Sequence, residues 1–125
     1  MFDLNEENYN KKVAEGGIVL VDCWASWCEA CKTFAPVYER VAASFPKHAF
    51  AKLDSQTEQN LIEMLTVETI PSLLLYRDGL LLFKQPGYFD EEQLRDIVRQ
   101  AETLDMELVR ADIADEEQRR ENELH

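Results

Sequence analysis

The run Ile18-Val19-Leu20-Val21-Asp22-Cys23-Trp24 constrains this chain more than any other stretch. It has the length of a strand, is apolar except for one aspartate, and is set off by Gly16-Gly17. A strand with no alternating polar side is buried on both faces, and a sheet covered on both faces needs helices on each. The flanking sequence supplies them. Asn5 to Ala14 reads as a helix closed by the two glycines. From about Cys28 to Ser44, residues Phe34, Val37, Tyr38, Val41 and Phe45 recur at three- and four-residue spacing, which predicts a second helix kinked by Pro36. Ala49 to Leu53 is a short strand, and Glu58 to Leu65 places Leu61, Ile62 and Leu65 on one helical face. Ser72 to Tyr76 and Leu80 to Lys84 are strand-like and joined through Arg77-Asp78-Gly79, where Asp-Gly is hairpin-turn chemistry. Asp90 caps a last helix carrying Leu94, Ile97, Val98 and Ala101. The order helix, strand, helix, strand, helix, strand, strand, helix predicts an α/β fold, a central mixed sheet flanked by helices with an antiparallel hairpin at one edge.

With 125 residues and 46% apolar composition, a single domain can build its core without disulfides. The formal charge of -12, with no basic run among the thirteen Lys and Arg, argues against nucleic acid and anionic membranes as partners. No apolar stretch approaches the roughly 18 residues a membrane helix needs, and the start Met1-Phe2-Asp3-Leu4-Asn5-Glu6-Glu7 lacks the basic and apolar regions of a signal peptide. A cytoplasmic location is therefore expected. Three unevenly placed cysteines do not make a secreted disulfide framework, and a close pair in a reducing compartment is catalytic or metal-binding.

That pair is Cys28 and Cys31, in Trp27-Cys28-Glu29-Ala30-Cys31, where the buried strand turns into the second helix. The first thiol then sits at the helix N-terminus, whose unpaired N–H groups and dipole favour a thiolate, and the second lies one turn inside. Cys28 is the expected nucleophile and Cys31 the resolving thiol that attacks a mixed disulfide on Cys28. A zinc half-site would need two further ligands, and His48 and His125 offer no such spacing. Asp22 is the second informative residue. A carboxylate in an apolar strand costs several kcal/mol unless it is paired or its pKa rises. Six residues before Cys28, it can lie beneath the sulfurs and accept the proton Cys31 must lose; the alternative is an aspartate reaching solvent or a backbone donor. Alternation points Cys23 away from Asp22, as a small buried hydrophobe.

The segment Val21-Asp22-Cys23-Trp24-Ala25-Ser26-Trp27-Cys28-Glu29-Ala30-Cys31-Lys32 resembles the active-site strand and helix of the thioredoxin family. The resemblance covers about residues 2 to 103 and continues through Pro36, Lys52, Ile70-Pro71, Gly79 and Gly87 in order. It implies a thioredoxin-like fold and thiol-disulfide exchange with protein disulfides, most simply as a reductant. It also implies a cis peptide bond before Pro71, beside Cys28. A substrate groove of Trp27, Ile70, Pro71 and Gly87 would pair a partner's extended segment with exposed backbone. In that setting Lys52 tunes Asp22 electrostatically and Trp27 covers the disulfide. The family further suggests recycling by a thioredoxin-reductase-type enzyme. No residues here are suited to nicotinamide or flavin, and no cofactor is expected.

Glu29-Ala30 stands where Gly-Pro is common in the family, placing a carboxylate beside the Cys28 thiolate and leaving reductase, oxidase and isomerase chemistry all open. A rival reading is a thioredoxin-like binding module or redox sensor that docks partners without turnover. Beyond a domain at residues 1–103, residues 104–125 form an acidic extension. From Glu102 to His125 nine carboxylates face Arg110, Arg119 and Arg120. Leu94, Ile97, Ala101, Leu104, Leu108 and Ala111 keep helical spacing with no Gly or Pro after Gly87, which predicts that the final helix simply extends past the domain. Its exposed apolar residues Leu104, Leu108 and Ile113 would then dock on another subunit or a basic partner, the alternative being a solvated tail without a role.

Overall fold

The computed structural model describes residues 1–123. Ten elements follow in order: β1 (Phe2–Asp3), α1 (Tyr9–Ala14), β2 (Ile18–Trp24), α2 (Glu29–Ser44), β3 (Ala49–Asp54), α3 (Gln59–Met64), β4 (Ser72–Arg77), β5 (Leu80–Pro86), α4 (Glu91–Thr103) and α5 (Met106–Glu123). The strands form one sheet in the order β1-β3-β2-β4-β5. β2 runs parallel to β3 and antiparallel to β4, so this apolar strand is central and its first six residues are buried. β1, a two-residue strand too short to leave a periodic signal, pairs parallel with β3 at the edge.

Each face of the sheet has its own core. Val19, Val21 and Cys23 point to one, with Leu4, Leu53, Leu61 and Leu74; Ile18 and Leu20 point to the other, with Phe34, Tyr38, Val41, Leu94 and Val98 from α2 and α4. Each fully buried side chain of this size contributes about 1.5–3 kcal/mol, so the helix stripes hold the layers together. α2 runs unbroken through Pro36, and α4 starts from a reciprocal cap in which Asp90 accepts from the Gln93 N–H while the Gln93 side chain accepts from the Asp90 N–H. The β4–β5 hairpin turns through Asp78 and Gly79, both at positive φ, the conformation for which Asp-Gly is suited.

α1 begins at Tyr9 rather than Asn5, because Asn5 and Asn8 exchange side-chain to backbone hydrogen bonds that hold a separate turn. The C-terminal region also differs from an uninterrupted helix. α4 stops at Thr103, Leu104 is extended, and the Asp105 carboxylate accepts from the N–H groups of Glu107 and Leu108 at 3.0 and 3.3 Å to start α5. The Arg77 guanidinium fills the break by donating to the carbonyls of Ala101, Glu102 and Leu104, which satisfies acceptors at the end of α4. The break shifts the inward stripe. Met106 is buried and Val109 and Ile113 are half-buried, whereas Leu104 and Leu108 are 40% and 65% exposed. No helix among the described residues is long and apolar enough to cross a membrane.

Candidate active site

β2 ends at Trp24, and the turn that follows delivers Cys28 to the N-cap of α2 and Cys31 to its first turn. The two are joined as a disulfide with Cα atoms 5.2 Å apart. The Cys28 sulfur accepts a hydrogen bond from the Cys31 N–H at 3.2 Å. That is one of the donors a helix leaves unpaired at its start, and it is aimed at the atom that must carry negative charge when the pair is reduced. Both sulfurs sit in a small cluster with Ala25, against which Trp24, Ala30 and Ile70 pack. Trp27, next to Cys28 in the chain, is 65% exposed and presents a flat apolar surface to solvent. Glu29, between the cysteines, points into solvent and pairs with Lys32 at 3.1 Å, so a neighbouring ammonium offsets its charge.

Asp22 shares the sheet face of Leu20, while Cys23 points to the opposite core. Asp22 is fully buried, and neither carboxylate oxygen has a hydrogen-bond partner among the described residues. Burial raises its pKa from 3.8 to about 6, partly countered by the positive charge of Lys52. Lys52 is the registered partner of Asp22 on β3, and its ammonium also lies 5.1 Å from the centre of the Trp24 ring. The alternative in which Asp22 reaches solvent or a backbone donor is not what the fold presents. Cys23 is also fully buried, and burial, aided by Asp22, pushes its thiol up to about 12, leaving it inert.

The groove residues converge from a different part of the sequence. The Ile70-Pro71 peptide bond is cis, and Ile70 packs on the cysteine cluster. The Pro71 carbonyl accepts from the Gly87 N–H at 2.8 Å, which fixes the loop after β5 against the loop before β4. Gly87 has φ +101°, a conformation side chains rarely adopt, and open space where a Cβ would lie. Sequence reading missed one polar group near the site. Tyr38, counted as an apolar stripe residue, is fully buried, and its hydroxyl donates to the Ala51 carbonyl at 2.8 Å. Its pKa is raised, by burial first and then by the charge of Asp22, so it shares the interior with that carboxylate. A tyrosine among apolar positions carries a hydroxyl that needs a partner, and that was the available signal. Among the described residues no group of three or more His, Cys, Asp or Glu is placed to hold a metal ion; His125 lies outside the described residues.

The family model described as Thioredoxin matches residues 1–100. A Streptomyces coelicolor protein named "Putative thioredoxin 2" is 37% identical over 115 residues, covering 92% of this chain and 86% of that protein. A thioredoxin of Chlamydia trachomatis is 34% identical over 91 residues, covering 73% of this chain and 88% of its own. Among solved structures, a thioredoxin variant from Halobacterium salinarum superposes with a TM-score of 0.77 at 28% identity, covering 84% of this chain and 92% of that one.

Proposed function

The chain belongs to the thioredoxin family and is a thiol-disulfide oxidoreductase with a CxxC active site, and from that premise we propose that it runs as a reductant of protein disulfides. The observation that carries the reading is the Cys28–Cys31 disulfide at the start of α2, its Cys28 sulfur capping the helix, with the fully buried Asp22 on the strand that leads into it. In the reduced enzyme the Cys28 thiolate attacks one sulfur of a partner cystine, the partner's S–S bond breaks, and a mixed disulfide forms as one partner thiolate leaves. Asp22 takes the proton of Cys31, and the resulting thiolate attacks the Cys28 sulfur. The second partner thiolate departs, and two electrons have passed to the partner as the Cys28–Cys31 disulfide closes. Lys52 steadies the Asp22 charge. Trp27, Ile70, Pro71 and Gly87 form the surface against which the partner's segment lies.

On this reading a thioredoxin-reductase-type enzyme returns the two electrons, and the cytoplasm, whose thiol pool is reducing, is the working compartment. We take residues 1–103 as the catalytic domain and 104–125, of which 104–123 are described, as an extension that docks partners. The Streptomyces match, at 92% of the chain, reaches into that extension. The test is turnover. Reduced protein should reduce insulin disulfides catalytically when resupplied with electrons, Cys28→Ser should abolish this, and Cys31→Ser should accumulate the mixed disulfide. Absence of turnover in the parent protein, with partner binding retained by both the parent and Cys28→Ser, would refute the reading in favour of docking without redox turnover.

A further inference from the structure

Opposite the cysteine end of the sheet, α5 runs beside β5 and leaves a groove of about 490 Å³. Its floor is apolar on both sides, Leu81 and Leu82 from β5 and Val109 and Ile113 from α5. Leu81 pairs with Tyr76, which belongs to one core, whereas Leu82 packs against the other, so the two leucines point to opposite sheet faces. A groove lined by both must follow the strand's outer edge, and β5 is the terminal strand. Its rim is charged. Asp112, Asp115 and Glu116 stand against the single base Arg119.

The α5 wall is fixed, because Met106 is buried, Arg77 holds the break before it, and Arg110 lies 3.6 Å from Asp78 on the hairpin turn. The strand wall does not favour an added strand. The register shift opposite Leu75 and Tyr76 leaves Leu82 as a bulged residue, and Lys84 and Pro86 follow, all features that spoil a backbone ladder at an edge. What remains is a site that reads side chains. A second copy of the chain would bring acidic rim and excess negative charge onto acidic rim, which disfavours self-pairing.

We propose that the groove between α5 and β5 is a peptide-docking site that takes a partner segment in which apolar side chains enter between Leu81, Leu82, Val109 and Ile113 while neighbouring Lys or Arg meet Asp112, Asp115 and Glu116. It rests on the reading of the extension as a docking element and not on the direction of the redox reaction. β2, which spans the sheet between the two ends, is seven residues long, so the groove lies about 20 Å or more from the disulfide end. A partner held there by a basic segment would keep a separate cystine within reach of Cys28 at raised effective concentration.

The test uses full-length protein and a fluorescein-labelled peptide of alternating Lys and Leu, with a Glu-Leu peptide and an all-Lys peptide as comparisons. Saturable binding is expected for the Lys-Leu peptide only, weakening as salt rises. The double variant Asp112→Lys, Glu116→Lys should lose tenfold or more in affinity, as should Leu81→Glu, with insulin reduction unchanged in both. Backbone N-methylation of the peptide should leave affinity within a few-fold. Equal binding of the all-Lys peptide, undiminished binding by the variants, or protein dimerisation that excludes the peptide would each overturn the site. Since peptide binding is measured without turnover, failure of the site and failure of the redox reading are separately visible.

Discussion

Replacing Asp22 with Asn isolates the energetic cost of the buried carboxylate. Folded protein keeps the Asp22 proton up to about pH 6, whereas an unfolded chain releases it near 3.8. Between those values the folded state binds more protons, so stability falls as pH rises through the window and stays at its lower level above it. At 1.36 kcal/mol per pH unit, the displacement from 3.8 to about 6 corresponds to about 3 kcal/mol at neutral pH. The side chain is fully buried, so water does not screen this cost away. The amide of Asn has its own desolvation cost, but that cost is independent of pH and moves the whole curve together. Urea denaturation of the disulfide forms from pH 3.5 to 8 should therefore show the variant gaining on the parent by up to about 3 kcal/mol between pH 4 and 7, equivalent to about 10 °C in Tm. The gain should level off above pH 7. A difference between the two proteins that stays flat from pH 4 to 7 would refute the assignment of a proton-binding, desolvated carboxylate to Asp22.

Three further outcomes are expected. In reduced protein at neutral pH, an alkylating agent should label Cys28 well before Cys31 or Cys23, read by mass spectrometry, because Cys28 caps the helix and Cys23 is fully buried. Glu29→Gln should shift the rise of thiolate absorbance to lower pH by a few tenths of a unit, a modest effect because Glu29 is exposed and paired with Lys32; no movement would show that its charge is without influence on the site. Arg77→Ala should destabilise the α4–α5 junction by about 2 kcal/mol, the usual worth of charged hydrogen bonds, and expose Leu104-Asp105 to limited proteolysis while insulin reduction persists.

The cysteine site was legible in the sequence because its chemistry is local: one strand, one turn and one helix start place Asp22, Trp27, Cys28 and Cys31. The family resemblance supplied what no local rule gives, the approach of Ile70, Pro71 and Gly87 from residues 40 or more positions away. The sheet order was legible only in outline, since β1 has two residues and no period to detect. The C-terminal helix was misphased for a definite reason. Apolar spacing persists across Leu104, and although Asp105 is a strong cap residue, the guanidinium that stabilises the break comes from Arg77, on a distant strand. Tyr38 falls on the apolar stripe by the spacing of its ring, and that spacing carries no sign of the Ala51 carbonyl its hydroxyl reaches.

The central position of β2 has a consequence for how the molecule breathes. It is hydrogen-bonded on both sides, to β3 and β4, and buried along six of its seven residues, so it belongs to the part of the fold that opens last. The disulfide is mounted directly after that strand. Fraying at the short β1 edge or along the exposed end of α5 can therefore come and go while β2, with its buried Asp22, and the cysteine pair after it stay in place. Electron exchange then draws on the most persistent part of the molecule, and the periphery is left free to change its length, charge or partners.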